Sequence, residues 1–342
     1  MGEPLLRVED LQTHFATEDG VLEAVAGISY DVSAGEALGI VGESAAGKSV
    51  QALSLLRLVN PPGRISGGAV YYKGKDLLRL SERQMQSVRG SEISMIFQDP
   101  MTSLNPIKTI GDQMTRIIRF HKRVSERDAR DEAVEMLHRV GIPSPGERLK
   151  AYPYQFSGGM NQRILIAMAL SCEPKLLIAD EPTTALDVTV QAEILDLLRE
   201  LRAKTGTAII LISHDLGVIT EFCDRVLVMY AGRIVEENTT DRLFRNPRMP
   251  YTQALLRVLP RLDDEERRLS VLPGQMPQLH NMPSGCPFHP RCVHAADPCV
   301  RVPPALQTLA PGERVACHIY DPAVTPPPRP DDVTAQAMEA GG

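Results

Sequence analysis

With 342 residues, the chain is long enough for about two domains, and its 43% hydrophobic and 23% charged residues are typical of a globular protein. The formal net charge of −6 and the pI near 5.8 lack the basic excess of a nucleic-acid-binding protein. No apolar run reaches the roughly 18 residues that a transmembrane helix needs, and the N-terminus lacks a signal-peptide pattern. We therefore expect a cytosolic protein that reaches a membrane only through a partner.

Strands are indicated first, between residues 4 and 40. β-branched and aromatic residues are interrupted there by turns, and the last apolar run, Ala37–Val41, predicts a short buried strand. Phe15 lies in the first of these stretches, from which its ring could return to stack on a nucleotide base. From the residues alone, a core aromatic side chain is the simpler interpretation of Phe15.

The octapeptide GESAAGKS at 42–49 fits the phosphate-binding loop pattern, and it lies between this strand and a helical segment at 50–58. Glycine lets backbone N–H groups turn toward a triphosphate. Lys48 should reach the β- and γ-phosphates, and the Ser49 hydroxyl should bind Mg²⁺. The predicted nucleotide-binding residues here are Gly42, Glu43, Ser44, Ala45, Ala46, Gly47, Lys48, Ser49 and Val50.

Ala45 is a departure from this pattern, because many such loops have another glycine at that position. If the backbone there needs a positive φ angle, the Cβ atom costs on the order of 1 kcal/mol. ATP affinity and turnover would then both depend on this residue.

The segment from 68 to 170 changes from strand to helix. The apolar run at 93–98 predicts a buried strand that ends in Gln98, whereas the pattern at 107–170 is helical. A helical insertion between α/β segments predicts a subdomain. Near its end, FSGGM at 156–160 precedes an apolar helix.

The next apolar run ends in two acids. Residues 176–180 predict a buried strand with Asp180 and Glu181 at its carboxyl end, where ligands sit in doubly wound sheets. Asp180 suits Mg²⁺, through Ser49 and water, and Glu181 suits the polarisation of an attacking water. Two solvated acids at a strand end are the alternative interpretation.

A helix and another strand follow the acids. Residues 190–203 have amphipathic helical spacing, and the run at 208–213 predicts a buried strand that ends at His214. A single histidine is more often structural than catalytic. At a strand end beside the other site residues, however, His214 becomes a candidate contact of the γ-phosphate.

Taken together, these motifs resemble the nucleotide-binding domain of an ABC transporter. In chain order they are GESAAGKS at 42–49, Gln98, FSGGM at 156–160, LLIADE at 176–181, TALD at 184–187 and His214. The resemblance covers roughly residues 4–320. It implies an α/β fold of the P-loop NTPase type, with a RecA-like core, an antiparallel β subdomain and an α-helical subdomain at about 107–170.

The resemblance also assigns roles within this chain's own ATP site. It implies that Phe15 stacks on the base, that Glu181 acts on the attacking water and that His214 is the switch histidine on the γ-phosphate. Gln98 would contact Mg²⁺ and the attacking water and couple both to the permease. ATP and Mg²⁺ are thus the implied substrate and cofactor.

A second half-site is implied by the signature sequence. In this family, Ser157, Gly158 and Gly159 press against the γ-phosphate of ATP bound by the opposing subunit. Asp187 would lie in the loop that crosses between the subunits. The chain would therefore hold two half-sites that face different ways.

Subfamily features point to peptide importers. The stretch IFQDPMTSLNP at 96–106 and the sequence around FSGGM resemble the ATPase subunits of oligopeptide and dipeptide importers, although nickel and glutathione systems share the pattern. The implied function is ATP hydrolysis that powers import through two integral-membrane permease subunits. A second, related ATPase subunit and an extracytoplasmic solute-binding protein would complete the system, with this chain peripheral on the cytoplasmic face of the inner membrane.

A soluble ABC ATPase that acts on nucleic acid or ribosomes is the alternative function. The acidic pI, the single set of motifs and the importer-like stretch at 96–106 argue against it. We therefore expect no nucleic-acid partner.

Four late cysteines indicate a metal site. Their spacing is Cys286-x5-Cys292-x6-Cys299-x17-Cys317, which lacks the close pairs typical of structural zinc. Four thiolates can hold zinc or a [4Fe–4S] cluster. The chain resembles peptide importers, whose subunits carry an iron–sulfur cluster on such a C-terminal quartet that includes CPFHPRC, at 286–292 here. This resemblance favours the cluster over zinc, and either metal over four unbound thiols.

The predicted domains follow from these segments. Residues 4–258 form the nucleotide-binding domain, and 259–320 form a small irregular region that carries the cysteines. Residues 321–342, with consecutive prolines and a Gly-Gly end, predict a disordered tail.

Overall fold

Two β-sheets and a layer of helices make up the fold, which is seen in a computed structural model. The described residues are 3–18, 20–99, 103–184, 186–257 and 274–322. Parts of the predictions above lie outside them, at 100–102 in the importer-like stretch, 185, 258–273 at the domain boundary, and 323–342 in the tail.

The strands of the described residues follow the apolar runs of the sequence. In chain order they are β1 (Leu6–Thr17), β2 (Gly20–Val32), β3 (Ala37–Val41), β4 (Gly63–Tyr72), β5 (Lys75–Asp76), β6 (Ile93–Ile96), β7 (Leu176–Asp180), β8 (Ala208–Ile212), β9 (Arg225–Tyr230), β10 (Arg233–Thr239), β11 (Gln307–Ala310) and β12 (Glu313–Val315).

Several of the helices begin after a residue whose side chain caps the first turn. Thr109 and Ser125, for example, accept hydrogen bonds from the backbone N–H groups of Asp112 and Asp128. The helices are α1 (Lys48–Leu55), α2 (Glu82–Val88), α3 (Ile110–Lys122), α4 (Glu126–Arg139), α5 (Pro145–Arg148), α6 (Gly158–Leu170), α7 (Val188–Thr205), α8 (Leu216–Phe222), α9 (Thr240–Arg245), α10 (Pro250–Arg257) and α11 (Asp297–Arg301). Among the described residues, none of these helices is long and apolar enough to cross a membrane.

The smaller sheet is antiparallel, with the strand order β2-β1-β4-β5. Leu6 and Val8 of β1 alternate with exposed neighbours and point into the core. A hydrogen bond of 2.7 Å between the hydroxyl oxygens of Thr13 and Ser54 joins β1 to α1. This sheet therefore lies against the helix that follows the phosphate loop.

The larger sheet has the order β11-β12-β10-β9-β3-β8-β7-β6. Its strands from β9 to β6 are parallel, and β10, β12 and β11 extend it in antiparallel fashion. The carboxyl ends of β3, β6, β7 and β8 lie at one edge, because parallel strands share their direction. The phosphate loop, Gln98, Glu181 and His214 follow these ends.

Both faces of the parallel part of the larger sheet are buried, which explains the continuous apolar runs of β3, β7 and β8. In β7, Leu177 and Ala179 belong to the core beneath the helices α3, α4 and α6. Leu176 and Ile178 belong to the core beneath the smaller sheet and α1. The strand ends that carry the site are thus fixed from two sides.

The cysteine-containing segment continues the larger sheet. Its strands β11 and β12 form a hairpin, and β12 pairs with β10 at Glu236 and Val315. Val315 and Ile319 are buried in the core of the nucleotide-binding domain. We expected an irregular region here, but its described part adds a hairpin to the sheet, because apolar residues at these positions fill that core.

Candidate active site

Backbone geometry shapes the phosphate loop. Gly47 has φ 97°, and a Cβ atom there would lie 2.3 Å from the carbonyl oxygen of Ala24, so glycine is required for this close approach. Helix α1 begins directly after it, at Lys48. Because glycine has no side chain that could cap the helix, the first-turn N–H groups are available to an anion, and phosphate binding here stays a prediction.

Ala45 has φ 64°, in the left-handed region. The backbone at Ala45 therefore has the positive φ angle at which a Cβ atom is strained, and the cost is on the order of 1 kcal/mol. The next residue, Ala46, is fixed by two backbone hydrogen bonds: its N–H donates to the Glu43 carbonyl at 3.2 Å, and its carbonyl accepts from the Gly232 N–H at 3.0 Å.

Lys48 folds back over the loop. Its Nζ donates hydrogen bonds to the carbonyl oxygens of Gly42, at 2.7 Å, and Glu43, at 3.0 Å, and only 6% of the residue is exposed. Burial lowers the pKa of Lys48, whereas the carboxylates of Glu181 and Asp180 act to raise it. The ammonium group is therefore held where it can meet phosphate oxygens.

Two oxygen ligands suited to Mg²⁺ converge beside the loop. The Ser49 hydroxyl donates to Asp180 Oδ1 at 3.0 Å, and Asp180 is 4% exposed. Burial raises the pKa of Asp180, and the hydrogen bond from Ser49 opposes that rise. A hydroxyl and a carboxylate are hard oxygen donors, so this pair fits the predicted magnesium site.

Glu181 is the centre of a hydrogen-bonded group. Its Oε2 atom accepts from Gln98 Nε2 at 2.9 Å and from Thr184 Oγ1 at 3.0 Å, and it lies 3.3 Å from His214 Nδ1. The structure thus brings together the three predicted catalytic residues, which are far apart in the sequence. The sequence analysis did not name Thr184 as a site residue. Its position three residues after Glu181 could have indicated that its hydroxyl reaches the carboxylate.

Phe15 lies in β1 opposite Gly63. A Cβ atom on Gly63 would come within 2.5 Å of the Phe15 ring, so this glycine makes room for the aromatic side chain. The ring is partly buried. Base stacking by Phe15 stays a prediction.

The signature and the crossing loop meet at two helix N-termini. Ser157 accepts from the N–H of Met160 at 3.3 Å at the start of α6, and Asp187 accepts from the N–H of Val190 at 2.9 Å at the start of α7. A Cβ atom on Gly159 would lie 2.8 Å from Val190 Cγ1, so glycine allows the two helices to approach. Three residues at these N-termini are exposed and can contact another molecule: Ser157, Gly158 and Asp187.

The four late cysteines line one small cavity, together with His289, His294 and His318. All four are free thiols. Burial raises the pKa of Cys286 to about 11 and that of Cys317 to about 12, so without a metal these thiols are protonated at neutral pH. In the described part of the chain, no group of three or more His, Cys, Asp or Glu side chains has the geometry of a metal site.

Two known protein families match the chain. The family described as ABC transporter matches residues 25–184, and the family described as oligopeptide/dipeptide transporter, C-terminal region, matches residues 235–299. The first match contains the phosphate loop and the acidic strand β7. The second contains the first three of the four late cysteines.

Curated relatives match along nearly the whole chain. The dipeptide transport ATP-binding protein DppD of Escherichia coli is 49% identical over 314 residues, which cover 92% of this chain and 96% of the relative. The oligopeptide transport ATP-binding protein OppD of Salmonella typhimurium is 51% identical and covers 92% and 93%. DppD of Bacillus subtilis is 50% identical and covers 93% and 96%.

Solved structures share the fold. The dimeric post-hydrolysis structure of the ATP-binding cassette MJ0796, bound to ADP and Pi, is 25% identical, has a TM-score of 0.63 and covers 69% of this chain and 98% of that chain. The structure of cbiO1 from Clostridium perfringens, part of the ABC transporter complex cbiONQ, is 28% identical, with a TM-score of 0.61 and coverages of 72% and 92%. Both confirm the predicted P-loop α/β fold. On these matches, the chain belongs to the ABC transporter family, as an ATPase subunit of the oligopeptide and dipeptide transporter type.

Proposed function

We propose that the chain hydrolyses ATP to power the import of peptides, or of a related small solute, through a membrane permease. The convergence of Gln98, Thr184 and His214 on one carboxylate oxygen of Glu181 carries the hydrolytic part of the proposal. The relatives named for dipeptide and oligopeptide transport, and the matching C-terminal region, support peptides as the solute. They do not favour action on nucleic acid or ribosomes.

Different residues of the site would bind the phosphates, bind Mg²⁺ and activate the attacking water. Lys48 and the first turn of α1 would bind the phosphates. Ser49 and Asp180 would hold Mg²⁺, and Gln98 is the further predicted Mg²⁺ contact. When bound, Mg²⁺ neutralises phosphate charge. Glu181 polarises the attacking water, and His214 orients the γ-phosphate.

Replacement of Glu181 by Gln tests the catalytic assignment. The amide cannot accept a proton, so ATP hydrolysis should fall by at least about 100-fold, the size of a lost general base, while ATP binding is retained. The measurement is single-turnover hydrolysis beside equilibrium ATP binding. Undiminished turnover would remove Glu181 as the base.

We infer that two ATPase subunits close face to face around ATP. Ser157, Gly158 and Asp187 are exposed at helix N-termini and are available to complete the site of the other subunit. The dimeric state of the MJ0796 cassette supports this arrangement. We propose a related but distinct chain as the second subunit.

The remaining partners follow from the family. We propose that the helical subdomain at 107–170 passes the closure on to two permease subunits at the cytoplasmic face of the inner membrane, and that an extracytoplasmic binding protein delivers the solute. Copurification with two integral-membrane subunits would support this proposal. A soluble protein whose ATPase is stimulated by nucleic acid would contradict it.

We further propose that the four late cysteines hold a [4Fe–4S] cluster, with zinc as the alternative. Their common cavity and the burial of Cys286, Cys299 and Cys317 support a ligand role. When bound, the cluster would cross-link Cys286, Cys292, Cys299 and Cys317 and so join distant parts of this segment.

Anaerobic purification tests this metal assignment. The protein should be brown, absorb near ~400 nm and contain iron, and Cys299→Ser should lose the iron. Cys172→Ser is the matched control, because Cys172 lies outside the cavity, and it should keep the iron. Colourless protein that contains zinc would contradict the cluster.

A further inference from the structure

The phosphate loop makes a direct ion pair with the cysteine-containing segment. The Arg291 guanidinium donates from Nη1 to Glu43 Oε2 at 2.7 Å and from Nη2 to Glu43 Oε1 at 3.0 Å. Glu43 is the second residue of the loop, and Arg291 directly precedes Cys292. Two parallel charge-assisted hydrogen bonds fix both the distance and the orientation of the two groups.

Arg291 is held rigidly. Its side chain is 5% exposed, against 27% for Glu43, and it lies 5.9 Å from the ring centre of Tyr230 and 5.8 Å from that of Phe288. It also donates to the Tyr230 hydroxyl at 3.3 Å. The Arg291 guanidinium is planar, makes two hydrogen bonds and lies near two aromatic rings. Lys at this position would lose the second hydrogen bond and the planar ring contacts.

Each polar group of Glu43 is occupied. Its carboxylate accepts from Arg291, its N–H donates to the Tyr251 hydroxyl at 2.9 Å, and its carbonyl oxygen accepts from Lys48 at 3.0 Å. The backbone that positions Lys48 is therefore fixed by residues that follow the ABC core in the sequence. The contact also compensates a carboxylate that would otherwise repel the phosphates.

We propose that Arg291 is a positioning residue of the ATP site, which neutralises and orients Glu43 and thereby fixes the phosphate loop. The cysteine-containing segment then supports nucleotide binding directly. This inference rests on the proposed ATP site, but it depends neither on peptide import nor on a metal. Arg291 acts on nucleotide affinity, whereas Glu181, His214 and Gln98 act on the chemical step.

The test measures MgADP affinity of the full chain by calorimetry, because ADP is not hydrolysed. Arg291→Met keeps the apolar stem and removes the charge, and it should weaken MgADP binding about tenfold or more, the size of a lost charge-assisted hydrogen bond. Arg291→Lys should lie between this variant and the original protein. Arg314→Met is the matched control, since Arg314 ties the same segment to Glu237 and to the Ser29 carbonyl, in the sheets rather than the loop.

A double-mutant cycle isolates the pair. Arg291→Met should change affinity less than twofold in a Glu43→Gln background, because no carboxylate is then left unpaired. Arg291→Met alone can be tested only if it folds; if it does not, the Glu43→Gln/Arg291→Met double variant is the test. Recovery of folding and MgADP binding in the double variant supports the proposal. Failure to recover either contradicts it. Unchanged affinity in folded Arg291→Met, or an equal loss in Arg314→Met, would also overturn it. Failure of the unmodified protein to bind MgADP would instead contradict the ATP site itself.

Discussion

Two residues of the ATP site have a positive φ angle although they carry a Cβ atom. Ala45 has φ 64° and Glu181 has φ 48°. Such a conformation costs on the order of 1 kcal/mol and persists only where the surroundings fix it. At Glu181, the N–H donates to the Ile212 carbonyl at 2.9 Å, and the carboxylate is held by the group around Oε2. At Ala45, replacement by glycine would remove the strain.

Ala45→Gly should stabilise the protein. Relief of about 1–2 kcal/mol of left-handed strain exceeds the about 0.4–1 kcal/mol that glycine costs through a more flexible unfolded chain, so the free energy of unfolding should rise by about 0.5–1 kcal/mol. Urea unfolding measures this difference. Ala46→Gly is the control: Ala46 is fully buried without a positive φ, and this change should destabilise. Destabilisation by both would show that the loop does not strain Ala45.

Many individual residues of the ATP site could be predicted from local sequence motifs. The phosphate loop, Asp180 and Glu181 each lie next to an apolar strand, so their place at a sheet edge follows from the sequence. The Arg291–Glu43 pair could not be predicted, because 248 positions separate its members and an isolated Arg near a Cys has no specific meaning. Thr184 is intermediate: its motif was noted, but the bond from its hydroxyl needs the three-dimensional turn.

At the scale of elements, the contact between α6 and α7 joins the FSGGM segment to the loop that carries Asp187, which we propose crosses between subunits. Gly159 faces Val190 so closely that a Cβ atom would require one helix to move. By contrast, apart from its chain neighbours and the backbone of its own helix, no described atom lies within 4 Å of a Cβ atom built on Gly158. The two adjacent glycines therefore differ in their role within the subunit.

Gly159→Ala should lower the free energy of unfolding by about 1–3 kcal/mol, the usual cost of overpacking. Gly158→Ala is the matched control and should leave stability within about 0.5 kcal/mol, because its methyl group points into open space. Thermal unfolding of the isolated subunit compares them. Equal stability of the two variants would mean that the α6–α7 approach is not fixed by Gly159.

Element type was predictable for the strands of the parallel sheet and for the helical insertion, because their periodicity is strong. The hairpin β11–β12 was not. Its strands are short and partly exposed, so they show little alternation, and they form only because Val315 fills a core built by β10. Tertiary context overrides weak local preference there.

At the scale of the whole molecule, one chain carries a proposed ATP site at its sheet edge and an exposed signature segment, which we propose acts on a second subunit. The segment that distinguishes peptide-type subunits is not an appendage, since it extends the sheet and its Arg291 contacts the phosphate loop. A change in this segment is therefore expected to alter nucleotide binding.

Peptide uptake into proteoliposomes that hold the ATPase pair and its permeases tests the central claim most directly. We predict uptake that requires internal ATP and that falls to background when Glu181→Gln replaces the original subunit, although ATP still binds. The Cys172→Ser variant is a control that should transport normally. ATP-independent uptake, or full uptake by Glu181→Gln, would contradict the account.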